Sequence, residues 1–332
     1  MKPTLAALLL LLVLCPLALL TGTVPLTPSE VWQALTAPDT HTAAHFIVVQ
    51  VRLPQVITAL LAGAALAAGG LVMQALFANP LADPSLLGVN SGASLGAALA
   101  MLALGGNLAI GTATLGGMAL TVAAAFAGAC AVIALLLVCS RLMRGNTALL
   151  VCGIMFSLLL SAIISLLSFY ATADGVRSFM LWGLGSFAGV PLSRLPAFAL
   201  VILLTLAALF PLAQSLNALL LGPDYAANLG IRVRHVRTRL LLLTGLLTAT
   251  VTALCGPVSF IGLAVPHAAR LLLRSADHRR LLPACLLLGA GVTLLALIVS
   301  HLPGERGVLP MAAITPMVGV PAVLYMLLRR RQ

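Results

Sequence analysis

Charge is the scarcest commodity in this sequence. Charged residues occupy 8% of its 332 positions, and Lys2 is the only lysine. A chain with no second lysine has no GxxxxGK[ST] loop, so it cannot bind and hydrolyse ATP through a phosphate loop of its own. The seven carboxylates are Glu30, Asp39, Asp83, Asp174, Asp224, Asp277 and Glu305. None sits centrally in a long apolar run, which leaves a proton or sodium relay without an obvious carrier. The six cysteines (15, 130, 139, 152, 255 and 285) lie in apolar runs without metal-like spacing. They read as small buried hydrophobes, and no metal site is expected. His301 and Glu305 are near one another, but no serine or cysteine in a motif context joins them, which argues against an intramembrane hydrolase.

What the chain has instead is apolar length. Hydrophobic residues make up 61% of it, too many to cover with an ordinary polar surface. Apolar runs at 4–21, 55–77, 112–139, 147–170, 194–212, 239–256 and 281–300 approach or exceed the ~20 residues a helix needs to cross a bilayer. Three less regular segments, 86–104, 258–273 and 309–328, bring the expected crossings to ten. The runs are too long, and alternate too little, for barrel strands. The expectation is an all-α polytopic membrane protein forming one domain over residues 1–332. Its first run is read as a retained helix rather than a cleaved leader.

The net charge of +11 is unevenly distributed. With an inside amino terminus and ten crossings, Lys2, Arg141, Arg144, Arg232, Arg234, Arg237, Arg239, Arg270, Arg274, Arg279, Arg280 and Arg329 to Arg331 fall on the cytoplasmic side. Only Arg52, Arg177, Arg194 and Arg306 fall outside. This is the asymmetry of the positive-inside rule, with both termini cytoplasmic, and it makes a nucleic-acid partner unnecessary.

Two apolar segments are interrupted at corresponding places in the two halves, which suggests inverted repeats. The first is "LFANPLADPSLLGVNSGASLG". Pro80 and Pro84 cannot continue a helix and push Asn79 and Asp83 out of the α region. Asp83 or Ser85 then caps a new helix, whose Gly88, Gly92, Ala93, Gly96 and Ala97 form a face that another helix can approach closely. A tight inner-side turn between packed helices is favoured here over direct substrate contact. The second interruption is "GPVSFIGLAVPHA", residues 256–268.

These residues carry a resemblance. "VRLPQVITALLAGAALAAGGLVMQALFANPLADPSLLGVNSGASLG" resembles the signature of the FecCD-type permeases, membrane subunits of bacterial ATP-binding-cassette importers for ferric siderophores, haem and cobalamin. "GPVSFIGLAVPHAARLLLRSADHRRLLPACLLLGA" and "LPMAAITPMVGVPAVLYMLLRRR" agree, so the likeness runs from about residue 45 to 331. The resemblance implies ten helices in the cytoplasmic (inner) membrane and a second permease copy, expected to be identical. It also implies two ATPase subunits holding ATP and magnesium, and a periplasmic or lipid-anchored solute-binding protein. No cofactor is expected in this chain itself.

The family further implies a coupling loop at 222–236, between the sixth and seventh crossings. Gly222, Pro223, Asp224 and Ala226 open it, Tyr225 and Leu229 give it apolar surface, and Gly230 separates two short helices. Arg232, Arg234, Arg237 and Arg239 suit an ATPase contact and an anionic lipid surface equally. Carried over by motif, Asn146 and Thr147 form a cytoplasmic gate, or cap the fifth helix, or both. Pro266, His267 and Arg270 are structural. Arg52, His301 and Arg306 are candidates for docking the binding protein. The chain departs from the family where Gln55 replaces an arginine, and where Leu297 and His301 replace an Ala-Asp-x-x-x-Arg pattern. The cargo expected first is a ferric siderophore, with haem or cobalamin as alternatives. An ion-coupled secondary transporter and a passive scaffold are the competing classes.

Overall fold

The computed structural model describes residues 2–37, 42–110, 113–143, 146–304 and 307–329. The chain begins with α1 (Lys2–Leu20) and α2 (Pro28–Thr36); the single turn α3 (Ala43–His45) then runs through a widened stretch, Phe46–Arg52, into α4 (Leu53–Leu76). After the first interruption come α5 (Val89–Ala98), a short hairpin of β1 (Asn107–Ile110) and β2 (Ala113–Gly116), and α6 (Gly117–Leu142). Next are α7 (Asn146–Tyr170), α8 (Ala173–Gly183), and α9 (Leu195–Leu209) leading through one tight turn into α10 (Ala213–Leu220). The chain ends with α11 (Pro223–Asn228), α12 (Val233–Cys255), α13 (Ile261–Leu273), α14 (His278–Ser300) and α15 (Met311–Arg329).

Among the described residues, six helical stretches are long and apolar enough to cross a membrane: 43–76, 117–142, 147–170, 195–220, 233–255 and 278–300. Four shorter apolar helices, 4–20, 89–103, 261–273 and 311–321, occupy the remaining expected segments. The architecture is therefore the helical bundle the composition requires. The run expected from residue 112 begins as helix only at Gly117, because the preceding residues pair in the hairpin.

The core is built around α4, whose alanines and glycines let neighbouring backbones close in. A Cβ on Gly63 would lie 2.3 Å from the Gly289 carbonyl oxygen of α14, and one on Gly70 would lie 1.8 Å from that of Gly262 in α13. The Thr293 hydroxyl donates across the first crossing to the Ala59 carbonyl at 2.7 Å. Gly92 and Gly96 bring α5 against Gly128 and Ala124 of α6 in the same way. The contrast is α7, of whose apolar window only 11% is buried, against 78% for the stretch containing α4. It sits at the rim of the bundle.

The first interruption is deeper than an end turn. The Asn79 side chain accepts from the Leu81 amide at 2.9 Å, and Asp83 accepts from the Ser85 amide at 2.8 Å. A single 3-10 turn, Pro84–Leu87, follows, and Gly88 at φ +84° closes it. Asp83 is thus the cap and Pro84 the first helical position. The segment folds back into the bundle: Pro84 packs on Gly69, and the Asp83 carboxylate lies against Gly262. Gly69 is seven residues before the end of α4, about 10 Å below it at 1.5 Å per residue. The tight turn expected here is present and reaches further into the bundle than its own residues announce, which is possible because Gly69 and Gly262 have no side chains in the way. Of the second interruption, 256–268, only 256–260 is non-helical; it leads directly into α13, whose first turn holds the Gly262 that Asp83 touches.

Candidate functional site

One end of the bundle carries a preformed, exposed turn. Gly222 adopts φ +112°, a backbone conformation open without strain only to glycine. Pro223 then starts α11 at the position where its missing amide hydrogen matters least. Asp224 lies in that first turn, where negative charge suits the helix dipole. The turn ends in a Schellman arrangement: Gly230, at φ +81°, donates to the Ala227 carbonyl at 2.9 Å, and Ile231 donates to that of Ala226 at 3.1 Å. Ala226 is fully buried, whereas Tyr225 and Leu229 are 49% and 59% exposed. A knob with a fixed backbone and an apolar outer surface results. Gly230 separates α11 from the beginning of the 23-residue α12, not from a second short helix.

This knob is braced from behind by contacts that motif reasoning did not single out. Asn217 of α10 donates to the Asp277 carboxylate at 2.7 Å and accepts from the His278 amide at 2.8 Å. Asp277 in turn caps α14 by accepting from the Arg279 amide at 3.0 Å, while the Arg279 side chain donates to Gln214. The Asn217 bond, followed by the Arg279 amide, holds the Asp277 carboxyl below its ordinary pKa. A lone Asn in an apolar run and an Asp before "HRR" were the only sequence signals.

Gln74, His267 and Arg270 form a second cluster at the same end. Pro266 lacks the amide hydrogen that would satisfy the Gly262 carbonyl one turn earlier. The Gln74 amide supplies hydrogen there instead, donating to Leu263 at 3.3 Å and lying 3.5 Å from the Gly262 oxygen. Its own carbonyl accepts from the Arg270 guanidinium. The buried His267 ring contacts the Leu263 carbonyl at 2.9 Å through Nδ1. The cluster pins α13 to the end of α4. Gln74 escaped notice because it is one polar residue in a long apolar helix.

Asn146 begins α7, and Thr147 lies exposed in its first turn. The Asn146 side chain, Arg144 and Gly145 lie outside the described residues. Further along α7, Ser157, Ser161, Ser165 and Ser168 recur at helical spacing on the weakly covered helix. The hydroxyls of Ser157, Ser165 and Ser168 donate to carbonyls one turn back, at 2.9–3.0 Å. They satisfy their own hydrogens and keep only lone pairs to offer.

At the opposite end, Arg52, expected to dock the binding protein, is turned into the fold. It is 4% exposed, and its guanidinium donates to the carbonyls of Leu19 and Leu20 at 2.7 and 2.9 Å and to that of Val24. It closes the open carboxyl end of α1, for which a fork of fixed donors is well suited. His301 is half-buried, with Nδ1 against the Leu297 carbonyl at 2.9 Å. Arg306 lies outside the described residues. Gln55, Leu297 and His301, the three positions that depart from the family pattern, line one cavity of about 220 Å³. The three departures meet at one place. Among the described residues, no group of three His, Cys, Asp or Glu side chains is placed to hold a metal ion.

The model of the FecCD transport family matches residues 9–329. A vitamin B12 import system permease protein, BtuC, of Klebsiella pneumoniae is 38% identical over 283 residues, covering 85% of this chain and 82% of its own. The hemin transport system permease protein HmuU of Yersinia pestis is 37% identical over 298 residues, covering 89% and 86%. A solved metal-chelate type transporter of the ATP-binding-cassette class, in an inward-facing conformation, superposes with a TM-score of 0.85. It is 29% identical and covers 99% of both chains.

Proposed function

The chain belongs to the FecCD transport family and is the permease of a bacterial ATP-binding-cassette importer, and from that premise we propose that it moves a metal tetrapyrrole inward by alternating access. Two of its relatives are named for vitamin B12 and hemin, a cobalt corrinoid and an iron porphyrin. That supports a tetrapyrrole ahead of the ferric siderophore expected from the sequence. Membership in this family leaves no ground for an ion-coupled carrier or a passive scaffold.

The observation that carries the mechanism is the fixed knob at 222–230. A rigid turn with an apolar tip, tied to α14 through Asn217, transmits the closure of a partner ATPase as a rigid-body movement. In this reading the knob end is cytoplasmic, two ATPase subunits hold ATP and magnesium, and the 222–236 loop sits in their clefts. Thr147 and Asn146 then stand where the inner gate closes. The weakly buried α7 supports a second copy of this chain, whose own α7 would cover it across the path. The serine row offers such a path weak acceptors without charge, suited to passing a bulky solute rather than holding it. A binding protein on the far side delivers the cargo, through contacts other than Arg52.

Co-purification tests the coupling directly. An ATP-binding-cassette ATPase is expected to accompany the tagged permease from solubilised membranes. It is expected to be lost when residues 222–230 are replaced by a glycine-serine linker of equal length. Retention of the ATPase by that folded variant refutes the assignment.

A further inference from the structure

The sequence gives no reason to treat any two of the six cysteines differently from the rest, but the fold does. Cys139, three residues before the end of α6, and Cys152, six residues into α7, face each other with their sulfurs 3.3 Å apart, the thiol of Cys152 donating to Cys139. Both are partly exposed, whereas Cys255 and Cys285 are buried. All six are free thiols, and no other pair is brought into sulfur contact.

From this we propose that Cys139 and Cys152 are a modification site: a dithiol that a hydroperoxide oxidises to a disulfide, stapling α6 to α7. A thiolate of one residue attacks the peroxide oxygen and forms a sulfenic acid, with water as the leaving product. The second thiol attacks that sulfur, a second water leaves, and the disulfide forms. Two thiols and one hydrogen peroxide thus give one disulfide and two waters. The sulfurs need to approach by about 1.3 Å to reach bonding distance, a movement within the reach of side-chain torsions. Neither thiol requires a helix to unfold.

The consequence follows from where the bond falls. Asn146 and Thr147 open α7 just after the α6–α7 connection, and Cys152 is little more than one helical turn beyond Thr147. A bond from Cys152 to Cys139 ties the base of α7 to α6 and closes a covalent loop around that connection. If α7 must shift against α6 for the gate to open, the oxidised permease is locked. This consequence rests on the gate reading, whereas the chemistry of the pair does not. In a reducing cytoplasm the pair stays as thiols, and the bond forms only under peroxide.

The test uses the complete transporter in membrane vesicles. Wild type, Cys139→Ser and Cys152→Ser are treated with hydrogen peroxide, alkylated, digested and mapped by mass spectrometry, and uptake is measured before and after dithiothreitol. The expected result is a peptide pair joined through Cys139 and Cys152 in wild type alone, two hydrogens lighter than the separate peptides. Uptake falls with it and is restored by dithiothreitol, while both serine variants keep their uptake under peroxide. Absence of the linked peptides overturns the site, whatever the transport result. Linked peptides with unchanged uptake overturn the lock. A wrong gate assignment shows itself separately, because Thr147→Trp would then leave uptake intact in untreated vesicles.

Discussion

Gly70→Ala adds one methyl group at the closest approach in the bundle. That carbon would lie 1.8 Å from the Gly262 carbonyl oxygen and 2.3 Å from its carbon. Ordinary contact begins near 3.5 Å, so α4 and α13 have to part by about 1.7 Å. The atoms struck are backbone, with no flexible side chain to swing aside. Overpacking of this kind costs about 1–3 kcal/mol. The displacement also loosens Gln74, one turn along α4, from its carbonyls on α13. Gly291→Ala is the matched control: it too is a helical glycine, but its nearest neighbours would be Leu11 and Leu10 methyl groups at 3.8 and 4.0 Å. There the new methyl fits, and helix propensity favours it by about 1 kcal/mol. Thermal unfolding in detergent, followed by near-UV circular dichroism, is expected to show a lower midpoint for Gly70→Ala and an unchanged or higher one for Gly291→Ala. Coincident midpoints, or the reverse order, would refute the packing argument.

Arg52→Ala is expected to destabilise the protein by about 1–3 kcal/mol, since it strips charged donors from partly buried carbonyls, while the affinity of folded material for a binding protein stays the same. Arg52→Lys recovers little of that loss, because an ammonium lacks the fork; midpoints of the three proteins decide it. Gln74→Leu removes the donor that stands in for the Pro266 amide and the acceptor for Arg270, with an expected cost of about 1–3 kcal/mol, read by the same unfolding assay. Gly230→Ala forces a side chain into a left-handed turn at about 1 kcal/mol; cargo-stimulated ATP hydrolysis should fall more than stability does. The depressed Asp277 pKa adds stability that is fully present above the usual carboxylate range, about pH 4, and is lost as pH falls through the lowered value. Asn217→Ala should shrink that acid-side loss, measured as unfolding midpoint against pH.

The sequence made the bundle legible because apolar length and arginine placement are decided by the solvent, and a bilayer imposes both. The turn at 222–230 was located through the family resemblance, and Gly222, Pro223 and Gly230 meet backbone requirements within it. The depth of the first interruption was hidden: Asn79 to Pro84 announce a turn, but only the absence of side chains at Gly69 and Gly262, distant in sequence, lets it sink inward. The partners of Arg52 were hidden for a related reason. Its charge pointed to solvent, whereas its partners are carbonyls more than 25 residues earlier that no pattern marks. The Gln74 cluster and the Cys139–Cys152 pair are likewise meetings between helices, and helical periodicity says which face a residue occupies, not what it faces.

The most direct test of the account is ATP-dependent uptake of labelled cobalamin, haem and a ferric siderophore by cells with and without this gene, in a strain lacking other importers for them. Loss of cobalamin or haem uptake on deletion, restored by the wild-type gene and not by the variant with residues 222–230 replaced, is the predicted result. Loss of siderophore uptake alone would contradict the tetrapyrrole assignment while keeping the machine. Uptake of all three unchanged by deletion would contradict the importer account itself.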